Sequence, residues 1–384
     1  MKIHRWVQLA LVAPLFLAGC KGFWTAPPTT TTTTPTTTAS SGNFYVLNAA
    51  TSQIAGFYVN AGVLTPLPGS PYTMLATPLS LAIAPNNSFL YASTISGIFF
   101  YTIASNGQLT LGNAGNPISA DQAVSMQVDA TNSWIVDVAS GGSQAFAIPI
   151  SPTTGLVTQT AEQFVALPAS TLQQVAISPA NTSVFVAMGA GGTAVIPFNI
   201  ANANPLGIVS TIAVKNVAGA ALSVAVDPSS RLAYIGETAA TSGSNTGGLR
   251  AIDLSTFKEI SGSPFASGGL APYDILPVQS GSFVYVVNRQ VSGSSTGQIA
   301  GFSVTGTSGA YSLTALTSTF AVGTNPVALA EDSTATFVFA VDYGGNPDLM
   351  GYTFDATTAG VLDSAISAPT GTDPVQASAI ATLH

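Results

Sequence analysis

Short apolar runs, separated by glycine, proline, asparagine and serine, fill the chain from residue 43 onward, and one four-residue pattern among them returns seven times. The copies read YVLN, YAST, VDVA, VAMG, YIGE, YVVN and FAVD, and they begin at residues 45, 91, 136, 186, 234, 285 and 339. A period of about 45–50 residues with several short strands per unit is typical of a β-propeller, with one blade per repeat. The pattern therefore predicts an all-β fold with seven blades.

The second repeat shows the internal order of one unit. Apolar or β-branched runs occupy Leu79–Ala84, Phe89–Thr94 and Ile98–Ile103, and a shorter run follows at Gln108–Leu111. Turn residues separate them, which predicts four antiparallel strands in each blade. The first of these runs is apolar on both faces in several repeats, as expected for sheets that are covered by neighbours on both sides.

The two ends of the repeat region complement each other. The first repeat begins directly with the second-strand pattern at Tyr45, and the final stretch, Asp373–Thr382, looks like a first strand with nothing after it. We expect the C-terminal strand to join the first blade and close the ring, because closure removes exposed sheet edges. The predicted propeller domain spans residues 43–384.

The first 42 residues have a different composition. Lys2 and Arg5 precede an apolar stretch that is too short to span a bilayer, and Leu17-Ala18-Gly19-Cys20 resembles the lipobox of bacterial lipoproteins. Residues 1–20 are thus predicted to be a lipoprotein signal peptide, with lipidation at Cys20; the alternative is an ordinary signal peptide. Residues 21–42, rich in threonine and proline, are predicted to be a disordered linker. Together they predict export and a lipid anchor in the cell envelope, on its periplasmic or surface side.

Charge limits the possible partners. Without Lys2 and Arg5 the chain keeps six lysines and arginines against sixteen acidic residues, a net charge of −10, and only 6% of all residues are charged. A strongly negative surface argues against nucleic acid as a partner.

Cys20 is the single cysteine, so no disulfide is expected. No apolar run after residue 20 reaches the length of a membrane span, and a monomer is favoured.

Several local patterns point to a known family. Tyr-Val-x-Asn at 45–48 and 285–288 resembles the repeat of the YVTN propellers, and the turn Asn106–Leu109 and the Gly-Ser-Pro-aromatic runs at 69–72 and 262–265 are similar to those of lactonase-type seven-bladed propellers. Some of these proteins are similar to 6-phosphogluconolactonase, so the resemblance implies hydrolysis of a sugar lactone.

The chain departs from that activity in its ionisable residues. His4 lies in the predicted signal peptide and His384 is the last residue, so no histidine is available as a base within the ring. A phosphate site needs convergent arginines, but the propeller domain contains only Arg231, Arg250 and Arg289. A lactonase built on this chain would have to activate water with a carboxylate.

Candidate site residues lie where second strands end and first strands begin, because these positions share one face of a propeller. The charged candidates for catalysis are Glu237, Asp274, Arg289 and Asp342, with Arg289 as the group that stabilises an oxyanion. The candidates for ligand binding are Asn48, Asn288, Gln174 and Gln376. The alternative is that these side chains hold loops through hydrogen bonds to the backbone. No metal and no cofactor are expected.

Two functions remain open at this point. The scarcity of ionisable residues favours a binding or scaffold module of the cell envelope that recognises a peptide, a glycan or a partner protein. The family resemblance favours the alternative, a lactonase-like hydrolase that opens a sugar or other lactone.

Overall fold

The computed structural model of the chain describes residues 42–60, 62–158, 162–240, 246–291, 294–368 and 373–384. The predicted signal peptide, Cys20 and all of the predicted linker except Gly42 lie outside these residues. Within them the chain forms thirty β-strands and one short 3-10 turn, Asn113–Gly115, and none of its helices could cross a membrane. The all-β prediction is confirmed.

The strands form seven antiparallel sheets, one for each blade. Blade 1 contains β1 (Asn43–Asn48), β2 (Gln53–Asn60), β3 (Val63–Pro66) and the short β4 (Tyr72–Thr73). Blade 2 contains β5 (Pro78–Ile83), β6 (Phe89–Thr94), β7 (Gly97–Ile103) and β8 (Leu109–Leu111). Blade 3 contains β9 (Ala123–Val128), β10 (Trp134–Ala139), β11 (Gln144–Pro149) and β12 (Gln163–Ala166). Blade 4 contains β13 (Gln174–Ile177), β14 (Ser183–Ala187), β15 (Thr193–Pro197) and β16 (Ser210–Ile212).

The remaining blades repeat the same order. Blade 5 contains β17 (Ala221–Val226), β18 (Leu232–Glu237), β19 (Gly248–Asp253), β20 (Lys258–Glu259) and the short β21 (Phe265–Ala266). Blade 6 contains β22 (Pro272–Pro277), β23 (Phe283–Asn288), β24 (Thr296–Thr305) and β25 (Ser312–Thr324). Blade 7 contains β26 (Pro326–Glu331), β27 (Phe337–Asp342), β28 (Leu349–Phe354) and β29 (Leu362–Ser367), and the last strand of the chain is β30 (Ala377–Thr382).

The C-terminal strand closes the ring as predicted. β30 pairs antiparallel with β1, with Phe44 opposite Thr382, and so supplies the first strand of blade 1. Beyond the strand, the Leu383 N–H donates to the carbonyl of Asn43 at 3.1 Å. The His384 N–H donates to Asn87 Oδ1 at 2.8 Å, which ties the end of the chain to blade 2. The edge of β1 that would be exposed without β30 is thereby paired.

The connections divide the propeller into two faces. The loop face is formed by the loops from second to third strands and by the segments that lead into first strands; for blade 5 the described residues of these segments are 238–240, 246–247 and 213–220. The turn face is formed by the turns from first to second and from third to fourth strands; for blade 5 these are residues 227–231 and 254–257. All eight sequence-predicted site residues lie at the loop-face ends of strands or just beyond them.

The core lies between adjacent blades, because each sheet has apolar residues on both of its faces. Phe44 of blade 1, for example, stacks on Phe339 of blade 7 with ring centroids 4.2 Å apart. At some boundaries a buried tyrosine hydroxyl also reaches the next blade: Tyr91 donates to the carbonyl of Gly155 at 3.0 Å, and Tyr285 to that of Gly360 at 2.8 Å. Stacked blades therefore hold one another through both packing and hydrogen bonds.

Candidate functional site on the loop face

The last residue of the second strand acts as a latch in several blades, because its side chain bonds the segment that leads into the first strand. Asn48 Oδ1 accepts from the Val375 N–H at 3.0 Å. Asn288 bonds Ser267 twice, accepting from its hydroxyl and donating to its carbonyl, both at 2.7 Å. Both asparagines are buried. Side chains held in this way fix the loops and have few groups left for a ligand.

Glu237 is a latch of the same kind with a charged partner. Its Oε2 accepts from the Lys215 N–H at 2.9 Å, and its Oε1 accepts from Arg250 Nη1 at 2.7 Å. Glu237 and Arg250 are only 1% and 6% exposed. Arg250 also pairs with Glu259, at 3.1 Å, and Glu259 with the Lys215 ammonium, at 3.0 Å. Glu237 is therefore the buried end of an ion-pair network that reaches the surface at Lys215, within blade 5 and the segment that precedes it.

Asp274 and Gln174 join each other across the central channel. First strands have no partner strand on their channel edge, so their N–H groups need other acceptors. Gln174 Oε1 accepts from the Val224 N–H at 2.9 Å, and Gln174 Nε2 donates to Asp274 Oδ1 at 2.8 Å. Asp274 Oδ2 in turn accepts from the Leu329 N–H at 2.8 Å. This chain of bonds links the first strands of blades 4, 5, 6 and 7.

Asp274 is more easily protonated than a carboxyl group in water. Burial raises its pKa to about 6, although the hydrogen bonds from Leu329 and Gln174 lower it. Because both of its oxygens already accept hydrogen bonds from Gln174 and Leu329, the carboxyl has a structural role: it holds first strands of different blades together.

Arg289 is arranged differently from these carboxylates. Its guanidinium carbon lies 4.8 Å from the ring centroid of Tyr273, and both residues are half-buried. Tyr273 sits at an irregularity of the pairing, between Pro272 opposite Asn288 and Asp274 opposite Val287. Bulges of this kind change the direction in which the neighbouring side chains point. Across the described ranges no ion pair joins Arg289 to a carboxylate, so the stack presents a cation at the loop face.

Asp342 is fully buried and only partly hydrogen-bonded. Its Oδ2 accepts from the Gly323 N–H at 3.2 Å, and Oδ1 has no partner among the residues that the structure describes. Burial raises the pKa of Asp342 to about 7; the bond from Gly323 lowers it, and the negative charges of Asp348 and Asp373 raise it further. Such a pKa suits acid–base chemistry, but the side chain has no exposed surface.

Gln376 lies beside this group of carboxylates. Its N–H donates to Asp348 Oδ2 at 2.6 Å, and its backbone adopts a positive φ of 54°.

Among the residues that the structure describes, no three histidine, cysteine, aspartate or glutamate side chains are arranged to hold a metal ion.

The eight candidates therefore share a face without forming one cluster. Gln174 and Asp274 contact each other, but in the described part of the chain no hydrogen bond or ion pair joins any two of the charged candidates Glu237, Asp274, Arg289 and Asp342. A catalytic role for them stays a prediction.

One carboxyl group that the sequence reasoning did not single out is Asp137, in the second strand of blade 3. Its side chain is fully buried, and neither oxygen has a partner within the described residues. Burial, together with the negative charges of Asp121 and Glu162, raises its pKa well above the usual range. Both of those carboxylates accept from the Ser119 hydroxyl. A comparison of the repeats could have identified Asp137, because the other six blades have valine, alanine or isoleucine at this position of the second strand.

The loop face carries exposed apolar side chains beside its exposed polar ones. Nine large apolar side chains are exposed within the described ranges, and five of them belong to loop-face segments of four blades. These five are Leu75, Ile95, Val217, Tyr343 and Val375. Val217 has the largest exposed fraction among them, 97%. Apolar side chains that stay exposed are available for contact with a partner.

Comparisons with known proteins extend the assignment of the fold. No family model matches the chain, and no curated protein matches it. A proposed 6-phosphogluconolactonase of Bacteroides fragilis NCTC 9343 aligns with a TM-score of 0.67 at 15% identity, over 88% of this chain and 97% of its own. The periplasmic gluconolactonase of Pseudomonas aeruginosa aligns with a TM-score of 0.63 at 16% identity, over 88% of this chain and 98% of its own.

A protein of unknown function from Desulfotomaculum acetoxidans aligns with a TM-score of 0.63 at 12% identity, over 89% of this chain and 99% of its own. At such identities the likeness concerns the fold alone. The chain has the fold of the lactonase-type seven-bladed propellers, as the sequence resemblance implied.

Proposed function

We propose that the protein is a binding module of the cell envelope whose loop face holds an extended segment of a partner protein. One observation supports this most strongly: the polar strand ends Asn48, Glu237 and Asn288 are used in internal hydrogen bonds, whereas five of the nine large apolar side chains that are exposed in the described residues lie on the same face. Loop-face apolar groups beside Arg289, which has no ion pair within the described residues, suit a peptide that carries apolar side chains and a carboxylate or carbonyl oxygen near this arginine.

The proposal includes the position of the protein in the cell. Lipidation of Cys20 would tether the chain to a membrane, because buried acyl methylenes supply the binding free energy. The threonine- and proline-rich segment would then act as an extended spacer that holds the loop face away from the lipid surface.

The test is a peptide selection followed by affinity measurements. A displayed library of random peptides is selected on the soluble Cys20→Ser chain, and the enriched peptides are titrated against two matched variants. Val217→Asp places a charge on the loop face, and Val63→Asp places the same charge on the turn face, where Val63 is 61% exposed. We expect Val217→Asp to weaken binding by about tenfold or more, a loss of about 1.4 kcal/mol, and Val63→Asp to leave it unchanged.

Two results would count against the proposal. One is a selection that enriches no peptide; the other is equal weakening by both variants, since the charge would then act without regard to the face.

A second function, a lactonase-like hydrolase, is favoured by the fold likeness and by the pKa of Asp342 near 7. Hydrolysis of glucono-δ-lactone, followed by proton release, tests it in the parent chain and in Asp342→Asn. A lactonase that uses this carboxyl should lose about 10²–10⁴-fold in turnover in the variant, with little change in melting temperature. If the parent does not accelerate hydrolysis above the buffer rate, this alternative fails.

A further inference from the structure

A cleft of about 830 Å³ opens on the turn face between blades 4 and 5, away from the loop face. Its floor is apolar, with Val195 and Ile212 of blade 4 and Leu254 of blade 5, and hydroxyl groups such as that of Thr182 lie along its wall. The volume falls within the range of about 300–1,000 Å³ that is common for small-molecule sites.

The lip of this cleft carries an aromatic side chain in an unusual backbone conformation. Phe257 lines the cleft, is 57% exposed and has a φ of 52°. This left-handed region is costly for a bulky residue. In five other blades the turn between third and fourth strands has a positive-φ glycine at the corresponding position: Gly62, Gly107, Gly155, Gly309 and Gly360.

Blade 5 thus has a phenylalanine at a turn position where five other blades have glycine. A glycine would remove the backbone strain and expose no apolar ring, so neither folding nor solubility explains Phe257. Residues held in such strained conformations are concentrated at sites that bind ligands. A phenylalanine at a turn position that favours glycine, with no gain in stability, therefore points to a functional role.

The inner wall of the cleft offers a rigidly held donor. Arg231 Nε bonds Asp227 at 2.6 Å and Arg231 Nη2 bonds the carbonyl of Gly281 at 2.9 Å. Its guanidinium carbon also lies 6.0 Å from the ring centroid of Tyr311. Within the described residues its Nη1 has no acceptor, which leaves N–H groups for a ligand oxygen.

The charges around the cleft select against an anion. Asp227 neutralises Arg231, and Asp253, which also lines the cleft, adds a further negative charge. The oxygens of Asp253 already accept from Ser255 and from the Gly309 N–H. A neutral ligand that has both apolar faces and acceptor oxygens fits these groups best.

We propose that this cleft binds a neutral saccharide, with one sugar ring lying against Phe257 and a sugar oxygen accepting from Arg231. A sugar ring provides both an apolar face of C–H groups for the aromatic side chain and hydroxyl oxygens for the guanidinium. This binding site is independent of the loop face and goes beyond the proposed function.

The experiment titrates the Cys20→Ser chain with neutral tri- to hexasaccharides built from glucose, mannose or N-acetylglucosamine, and with galacturonic acid oligomers as anionic probes. Phe257→Gly restores the turn residue of the other blades, so it should raise the melting temperature while it weakens saccharide binding at least tenfold. Phe257→Trp should keep the affinity within about threefold. Phe164→Ala, which removes another exposed phenylalanine from blade 3, should change nothing.

The combination of a higher melting temperature and lost binding separates a ligand contact from a folding defect. The proposal is overturned if no neutral saccharide binds at millimolar concentration, if the anionic oligomers bind in preference, or if Phe257→Gly binds as the parent does. Loss of peptide binding on the loop face would leave these measurements unaffected, so the two proposals can fail separately.

Discussion

Replacing the buried Asp137 with valine should stabilise the protein, and by an amount that depends on pH. Valine is the residue at the corresponding position in three other blades, namely Val46, Val186 and Val286, and it has nearly the same size as aspartate. The substitution removes two oxygens that have no partner in the described residues. An unsatisfied buried polar group costs about 1–3 kcal/mol, which is the part of the gain that does not depend on pH.

The pH-dependent part follows from the raised pKa of Asp137. The folded state keeps its proton at pH values where the unfolded carboxyl, with a pKa of about 3.9, has released it. The parent therefore loses stability as pH rises above that value, by about 1.4 kcal/mol per pH unit, until pH reaches the folded-state pKa. Between pH 5 and pH 7 the advantage of Asp137→Val should grow by up to about 3 kcal/mol.

Urea unfolding at pH 5, 6 and 7 measures this difference, with the fluorescence of the buried Trp134 as the signal. Asp137→Asn is the matched control, because it removes the titration and keeps the polar group: its advantage over the parent should rise with the same slope and a smaller offset. The reasoning is refuted if the parent and Asp137→Val lose or gain stability in parallel over this pH range. A less stable Asp137→Val would refute it as well.

Three further predictions concern the anchor, the closure of the ring and the latches. Cys20→Ser should move the protein from the membrane to the soluble fraction, and a variant that stays bound after a high-salt wash would contradict lipidation. Deletion of residues 374–384 should cost several kcal/mol and cause aggregation, which gel filtration and melting curves detect; a soluble monomer that melts like the parent would contradict closure. Glu237→Gln should lower the free energy of unfolding by about 1.5–3 kcal/mol, because Arg250 loses a charged and buried acceptor while it keeps its pair with Glu259; an unchanged urea midpoint would show that the pair is dispensable.

The architecture could be predicted from the sequence because it repeats. Each strand and turn is a local feature, and seven copies of the same pattern fix the number of blades, while the leftover first strand at Ala377–Thr382 reveals how the ring closes. The same argument placed the candidate residues on one face, since strand ends alternate between the faces of a propeller.

The state of each candidate side chain depends on partners that no local pattern reveals. Gln174 and Asp274 are 100 positions apart in the chain and meet only because the ring brings their first strands together. Glu237 finds Arg250 on the neighbouring third strand. Phe257 shows the opposite case, because comparing the repeats at the turn between third and fourth strands would have revealed a phenylalanine in place of glycine.

Hydrogen exchange of the complex with a selected peptide tests the central claim most directly. The loop-face segments around Val217 and Tyr343 lie outside the strands, and their amides that have no hydrogen bond should exchange fast in the free protein. The Tyr343 N–H, which donates to the Asn325 carbonyl at 3.0 Å, should exchange more slowly. The account predicts that peptide binding slows exchange in these segments and leaves the turn face unchanged. Protection confined to the turn face or to the outer strands, with no change around Val217 and Tyr343, would contradict it.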